Sequence, residues 1–143
     1  MRIIKKIIQL KPIEYLLFGE AFLYSIFCRV TILFVPLKKF AALMGKYMNE
    51  STVESYDNYP KARRIATAIN RVRRVVPWRC MCYEQAFMGK LMLNRRNIPT
   101  TIYFGVCKDQ QERMLAHAWL RCGDRIITGR KGMMRFTVVA TFA

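Results

Sequence analysis

The chain has 143 residues, of which 53% are hydrophobic and 13% aromatic, and its 25 Lys and Arg against 9 Asp and Glu give a formal net charge of +16. This length predicts one domain with a substantial core, and the hydrophobic content excludes a disordered basic tail. The charge favours polyanions, acidic peptides or an anionic membrane surface as partners. Because the basic residues are spread along the chain, with no zinc-finger spacing and no RNP aromatic motif, nucleic acid is not an expected partner.

The five cysteines favour an intracellular protein over a secreted one. Their odd number, without a signal-peptide context, does not suit a disulfide scaffold, and we expect reduced thiols in a bacterial-type cytosol. Cys80 and Cys82 form C-x-C rather than C-x-x-C, and with one histidine in the chain a structural zinc site is not expected. We expect neither a metal nor a cofactor. The cysteines are Cys28, Cys80, Cys82, Cys107 and Cys122.

The N-terminal region is basic and then apolar. Residues 1–11 alternate basic and aliphatic side chains, and Pro12 opens an apolar segment, residues 13–36, that is long enough to span a bilayer. Three ionisable residues interrupt it, namely Glu14, Glu20 and Arg29. An ionised group in hydrocarbon costs roughly 2.5 to 3.5 kcal/mol, and no A-x-A cleavage site follows. We therefore predict a buried or peripheral helix, lying against a membrane or a partner protein, rather than a true span.

Composition divides the chain into three predicted parts. Pro36 ends the first helix, and residues 37–47 predict a second, amphipathic helix. Residues 49–60 (N-E-S-T-V-E-S-Y-D-N-Y-P) are polar and rich in turn formers. The predicted organisation is an apolar helical region over residues 1–48, a linker over residues 49–60 and a core over residues 61–143.

Residues 61–76 predict a helix with one apolar and one basic face. The apolar positions are Ile65, Ala68, Ile69, Val72 and Val76, and the basic ones are Lys61, Arg63, Arg64, Arg71, Arg73 and Arg74. Two interpretations of the basic face stand equally: a solvated surface, or a rim that binds an acidic peptide or a phosphate.

A further helix and four strands follow. Pro77-Trp78 breaks the previous helix, and a new helix is predicted from Cys82 to Arg96, ended by Asn97 with Pro99 close behind. β-Branched and aromatic runs predict strands at residues 100–106, 114–121, 125–128 and 136–142. The fold class is α+β, with a cysteine-bearing helix packed on an antiparallel sheet, which is the arrangement of papain and the transglutaminases.

Cys82 and His117 are the candidate catalytic pair. A cysteine at a helix N-terminus feels the positive end of the helix dipole, which favours the thiolate. His117, the only histidine, lies on a predicted strand with Trp119 on the same face. A thiolate and an imidazole are the minimum equipment for nucleophilic catalysis; the alternative is an inert core cysteine and a structural histidine. Cys80 is a second possible nucleophile. Asp124 is the candidate to orient the imidazole by elimination, as the only acid after His117.

Four stretches of the chain, W-R-C-M-C-Y-E-Q-A, R-R-N-I-P-T-T-I-Y-F-G-V, A-H-A-W-L-R-C-G-D and R-F-T-V-V-A-T-F, carry a resemblance. Over Pro77–Phe142 the chain resembles the transglutaminase-like leader peptidases of lasso-peptide biosynthesis, the stand-alone B-type maturation proteins. The family pairs a cysteine opening C-x-x-Q-A with a histidine in A-H-A-W, which correspond to Cys82 and His117. The family's glycine at the helix stop is Asn97 here.

One departure from the family concerns the third group of the site. Many members carry the acid of a Cys-His-Asp triad about where this chain has Thr128-Gly129. Either Asp124 serves from the preceding turn, or a backbone carbonyl or a neutral side chain orients the imidazole.

The resemblance implies a cytoplasmic cysteine protease that removes the leader from a ribosomally made precursor peptide. A separate leader-recognition protein and an ATP-dependent macrolactam synthetase are the implied partners. Two rivals remain from other classes. One is a non-catalytic basic module that binds nucleic acid or an anionic membrane, for which binding should weaken steeply with salt. The other is an acyltransferase that uses the same pair, because fold and nucleophile do not fix the acyl acceptor.

Overall fold

The computed structural model describes residues 10–53 and 56–143. Within them lie four α-helices: α1 (Pro12–Phe34), α2 (Leu37–Met44), α3 (Tyr59–Val72) and α4 (Cys82–Asn94). One sheet contains β1 (Thr101–Lys108), β2 (Met114–Cys122), β3 (Arg125–Thr128) and β4 (Thr137–Phe142). The predicted α+β class is confirmed. The alternating basic run at residues 1–9 and part of the proposed linker, residues 54–55, lie outside the described residues.

Prolines and left-handed residues set the helix boundaries. Pro12 stands in the first turn of α1, and α1 ends just before Pro36. The predicted second helix is shorter than expected, since Gly45 adopts a φ of +111° directly after Met44. After α4, Asn97 adopts a φ of +54°, and the Ile98 amide donates to the Leu93 carbonyl at 3.0 Å. This is the predicted helix stop, since asparagine tolerates the left-handed conformation.

The sheet is antiparallel with the strand order β3-β2-β1-β4. β1 pairs with β2 along its whole length, from Thr101 opposite Arg121 to Lys108 opposite Met114. Helix α4 packs on the sheet so closely that a Cβ added at Gly89 would lie 2.6 Å from Leu120 Cδ2. Glycine at position 89 thus lets the middle of α4 approach β2 closely.

Helix α1 packs on α3 and α4 through a narrow face of mostly small residues. The buried positions are Leu17, Ala21, Ser25, Cys28 and Thr31. Three ion pairs tie the helix to later elements: Arg71 to Glu14 at 3.0 Å, Arg96 to Glu20 at 2.6 Å, and Arg29 to Glu84 at 3.2 Å. The charges that interrupt the apolar segment therefore point at partners within the fold. The division into a helical region, a linker and a core stays a prediction.

The opposite face of α1 is apolar and exposed. In the described part of the chain α1 is the one helix with the length and composition to cross a membrane, and most of it is exposed. Leu16 is 70% and Leu23 68% exposed, and Phe34 reaches 78%. Apolar side chains of this size on one helix face form a surface that favours a partner or a lipid phase.

Candidate active site

Cys82 is the first residue of α4, as the sequence predicts. The preceding residue, Met81, donates its amide to Glu84 Oε2 at 2.7 Å, and the buried Glu84 carboxylate also accepts from Arg29 at 3.2 Å. A glutamate at the third helical position that caps the entering chain is a helix-start motif. The amides of the first turn have no intrahelical acceptor, so the N–H groups of Cys82 and Tyr83 are suited to bind an oxyanion.

His117 lies on β2 opposite Gly105 of β1. Its ring centroid is 5.8 Å from that of Trp119 and 5.1 Å from that of Phe136. Gly105 leaves room for these rings, because a Cβ there would lie 2.8 Å from Phe136 Cβ and 2.9 Å from the Trp119 indole. His117 and Trp119 share a face of the sheet, as predicted. The imidazole therefore packs between two aromatic rings.

The Gly129 carbonyl oxygen lies 2.6 Å from His117 Nε2. A carbonyl can only accept, so Nε2 carries the proton in the neutral imidazole and Nδ1 is the nitrogen that can accept one. Gly129 has a φ of +75°, and a Cβ at this residue would lie 2.3 Å from the Ala118 carbonyl oxygen. The close passage of residue 129 over β2 therefore places the carbonyl beside the ring.

The other two candidates for orienting the imidazole are Asp124 and a neutral side chain, for which Thr128 is the neighbouring residue. The Asp124 carboxylate is exposed and lies 3.6 Å from Arg125 Nε. Thr128 Oγ1 is buried and has no hydrogen-bond partner among the described residues. Of the three alternatives open from the sequence, the geometry favours the backbone carbonyl.

Cys80 differs from Cys82 in its surroundings. Burial, with a smaller contribution from the Glu84 carboxylate, raises the pKa of Cys80 to about 11. At neutral pH this side chain is therefore a thiol, and a thiol is a much poorer nucleophile than a thiolate. The Cys80 carbonyl accepts a hydrogen bond of 3.0 Å from the Gln85 side chain, which fixes the loop that leads into α4.

Cys82, Gln85 and His117 line one cleft of about 510 Å³. Its walls are α3 on one side and the turn after β3 on the other. A larger apolar cavity of about 720 Å³ lies elsewhere, between α2 and the β1–β4 face, and does not include either member of the pair. Among the described residues no group of three or more His, Cys, Asp or Glu side chains is placed to hold a metal ion.

Sequence reasoning identified Cys82 and His117 as candidates but missed three features of their surroundings. These are the Gly129 carbonyl, the Phe136 ring and the Gln85 hydrogen bond to the Cys80 carbonyl. The departure from the family pattern at Thr128-Gly129 pointed to the first of them. The Phe136 ring reaches His117 from a separate segment, and the Gln85 bond spans only five residues but depends on the path of the loop into α4, which residue types alone do not specify.

Comparison with protein families supports the same interpretation of the fold. A model described as the transglutaminase-like superfamily matches residues 31–141, about three quarters of the chain, and the match includes Cys82 and His117. Comparisons with curated proteins and with solved structures gave no match.

Proposed function

The chain belongs to the transglutaminase-like superfamily, and we propose that it is a cysteine peptidase that removes the leader from a lasso-peptide precursor. The observation that carries the proposal is the cleft that Cys82 shares with His117, whose Nε2 is held by the Gly129 carbonyl. The resemblance of the segments around Cys82 and His117 to lasso-peptide leader peptidases supports the choice of substrate.

The proposed reaction follows the logic of thiol proteases. Cys82 attacks the carbonyl carbon of the scissile peptide bond, and the amides at the start of α4 stabilise the oxyanion. His117 Nδ1 takes the thiol proton and gives it to the leaving amine, so the C–N bond breaks and a thioester remains. Water then attacks the thioester, with His117 as the base, and releases the leader with a new carboxylate.

The proposed partners are the precursor peptide, a separate leader-recognition protein and a macrolactam synthetase that uses the freed amine. We place the reaction in the cytoplasm, with α1 against the inner surface of the membrane. Support for the membrane contact comes from the exposed apolar face of α1 and from Lys38 and Lys39, which are exposed just beyond its C-terminal end. Anionic lipid headgroups complement such lysines.

The test is incubation of the chain and its leader-recognition partner with a precursor peptide, read by mass spectrometry. We expect leader release to be lost in Cys82→Ala and retained in Cys80→Ala. Release that survives Cys82→Ala would sink the mechanism and favour a non-catalytic role of the basic surface. A second arm adds a primary amine: its incorporation at the new C-terminus in place of water would identify an acyltransferase.

A further inference from the structure

Four cationic side chains line the cleft of the proposed active site, and they come from two separate elements. Helix α3 and its C-terminal end supply two and the turn after β3 supplies the other two. They are Arg63, Arg73, Arg130 and Lys131. No carboxylate of the described residues lines this cleft. The two walls that face each other across the cleft therefore carry charge of the same sign.

This charge is not neutralised by ion pairs among residues 10–53 and 56–143. Seven carboxylates in the described ranges form ion pairs, and all seven lie outside the cleft: Glu14, Glu20, Glu50, Glu84, Asp109, Glu112 and Asp124. None of the four cleft cations forms an ion pair with a residue in those ranges. Like charges on facing walls repel one another, and an anionic ligand between them would remove that cost.

One of the four cations is oriented by a hydrogen bond to a neighbouring side chain. Arg73 Nε donates to Asn70 Oδ1 at 2.6 Å, and Asn70 also lines the cleft. This bond uses one nitrogen of the guanidinium, while Nη1 and Nη2 have no partner among the described residues. A guanidinium fixed in this way loses less entropy when it binds a carboxylate, for which its planar donors are well matched.

We propose that the cleft selects peptides with Asp or Glu side chains close to the bond that is cleaved. The inference rests on the proposed function, because a peptide bond is what Cys82 would attack. A volume of 510 Å³ corresponds to a space about 10 Å across, which holds about three residues of extended chain. The acidic side chains are therefore expected within about three residues of the scissile bond, on either side of it.

The first experiment measures binding without cleavage. Two rhodamine-labelled octapeptides, (Gly-Glu)4 and (Gly-Gln)4, are titrated with Cys82→Ala protein and followed by fluorescence anisotropy. We expect the acidic peptide to bind at least about tenfold more tightly at low salt, and the difference to shrink at about 0.5 M salt, where charges are screened within a few ångströms. Equal affinity for the two peptides at low salt overturns the inference.

Matched double variants separate the cleft from the overall charge. Arg130→Gln/Lys131→Gln removes two charges from the cleft, and Lys38→Gln/Lys39→Gln removes two exposed charges outside it. The first should weaken binding of the acidic peptide by about fivefold, as expected for two exposed charge pairs. The second should leave it nearly unchanged. Equal losses in the two variants would mean general attraction to a basic protein and would contradict selection by the cleft.

Cleavage assays distinguish failure of this inference from failure of the proposed function. If the precursor is cleaved but kcat/KM is unchanged after Asp and Glu near the bond are replaced by Asn and Gln, the inference is wrong and the peptidase stands. The inference is also wrong, and the peptidase again stands, if the cleaved precursor has no acid within three residues of the bond. If the precursor is not cleaved while the cleft prefers the acidic peptide, the proposed function fails and the binding preference remains.

Discussion

The imidazole of His117 takes its orientation from a main-chain carbonyl, and the position of that carbonyl depends on residue 129 having no side chain. Gly129 and Gly132 lie in the same turn with almost equal φ values, +75° and +78°. They differ in surroundings, because a Cβ at 129 would meet the Ala118 carbonyl at 2.3 Å, whereas a Cβ at 132 would meet nothing within 4 Å. Alanine substitutions at the two glycines therefore separate the effect of backbone strain, which both share, from the effect of displacing the carbonyl, which only Gly129→Ala should have.

We predict that Gly129→Ala lowers kcat at least about tenfold, since general acid–base catalysis depends on the aligned imidazole. Gly132→Ala should cost about 1 kcal/mol of stability for its left-handed backbone but leave kcat unchanged. As the chain has one histidine, its ¹⁵N NMR spectrum reports the His117 tautomer directly. The Nε2–H form should dominate in the wild type and in Gly132→Ala. Equal kcat values in the two glycine variants would contradict a role for the carbonyl.

Asp124 provides the complementary prediction. Its carboxylate is exposed beside Arg125. Asp124→Asn is therefore a surface substitution, which should change the free energy of unfolding by no more than about 0.5 kcal/mol. Because His117 Nε2 is bonded to the Gly129 carbonyl and not to Asp124, we also expect kcat/KM to change by no more than about twofold. A loss of a hundredfold or more in a steady-state assay would make Asp124 the triad acid after all.

At this scale the sequence predicted where the two candidate residues lie, at a helix start and on a strand, but not the groups around them. Cys82 and His117 follow from residue type, from a helix start and from strand alternation, all of which are local. The partner of His117 is a carbonyl twelve residues further along the chain, and every residue has a carbonyl. Which carbonyl meets His117 depends on the path of the turn after β3, and residue types alone do not specify that path.

At the scale of the element, α1 is a helix with two different surfaces. Its ionisable side chains Glu14, Glu20 and Arg29 reach inward to partners on later elements. Its outward face keeps large exposed apolar side chains, among them Leu16 and Leu23. The charges that argued against a membrane span are thus removed from the outward face, which suits a helix lying in the membrane interface.

We predict that the protein sediments with vesicles that contain phosphatidylglycerol and much less with vesicles of phosphatidylcholine alone. Leu16→Asn/Leu23→Asn should reduce vesicle binding at least about thirtyfold, because each buried leucine contributes about 1.5 to 3 kcal/mol. Met114→Asn/Met134→Asn is the matched control, since both methionines are exposed outside α1. Equal binding by the two double variants would refute the membrane contact of α1.

Element bounds were predicted better than sheet topology. The bounds of β3, 125–128, and the start of α4 at Cys82 match the structure, because turn residues and a helix stop mark them locally. Helix α3 begins two residues earlier than predicted and ends at Val72 instead of Val76. The pairing of β1 with β4 has no local mark, because the paired residues, from Val106–Thr137 to Ile102–Phe142, are 31 to 40 positions apart in the chain.

At the scale of the whole molecule, one buried lysine makes the stability of the fold depend on pH. The Lys90 side chain of α4 is 2% exposed and donates to the Thr100 carbonyl at 2.8 Å. Burial lowers the pKa of Lys90 from 10.5 to about 8. Below pH 8 the folded protein must hold a buried ammonium group, whereas above pH 10.5 the lysine is neutral in both states. The buried charge of Lys90 therefore destabilises the folded state fully below pH 8, and this destabilisation is lost as pH rises towards 10.5.

We predict that deprotonation of Lys90 raises the free energy of unfolding of the protein by up to about 3 kcal/mol between pH 8 and 10.5. Thiols of the unfolded chain also lose protons in this range, since the unperturbed cysteine pKa is about 8.5. The comparison is therefore with Lys90→Met, which has similar length and no charge. Urea denaturation of both proteins across this range isolates the effect as a difference in slope. Parallel pH profiles for the two proteins would show that Lys90 does not change its pKa on folding.

The inward ion pairs of α1 also have a consequence for synthesis. They join residues separated by 55 to 76 positions, so the partners Arg71, Glu84 and Arg96 are translated long after α1. At roughly 5 to 20 residues per second, α1 waits about 3 to 12 s after its last residue is made before Arg96 exists. During that interval the inward ionisable side chains of α1 lack the partners that pair with them in the fold. The nascent chain, rather than the finished protein, is thus the form that most needs a chaperone or a membrane surface nearby.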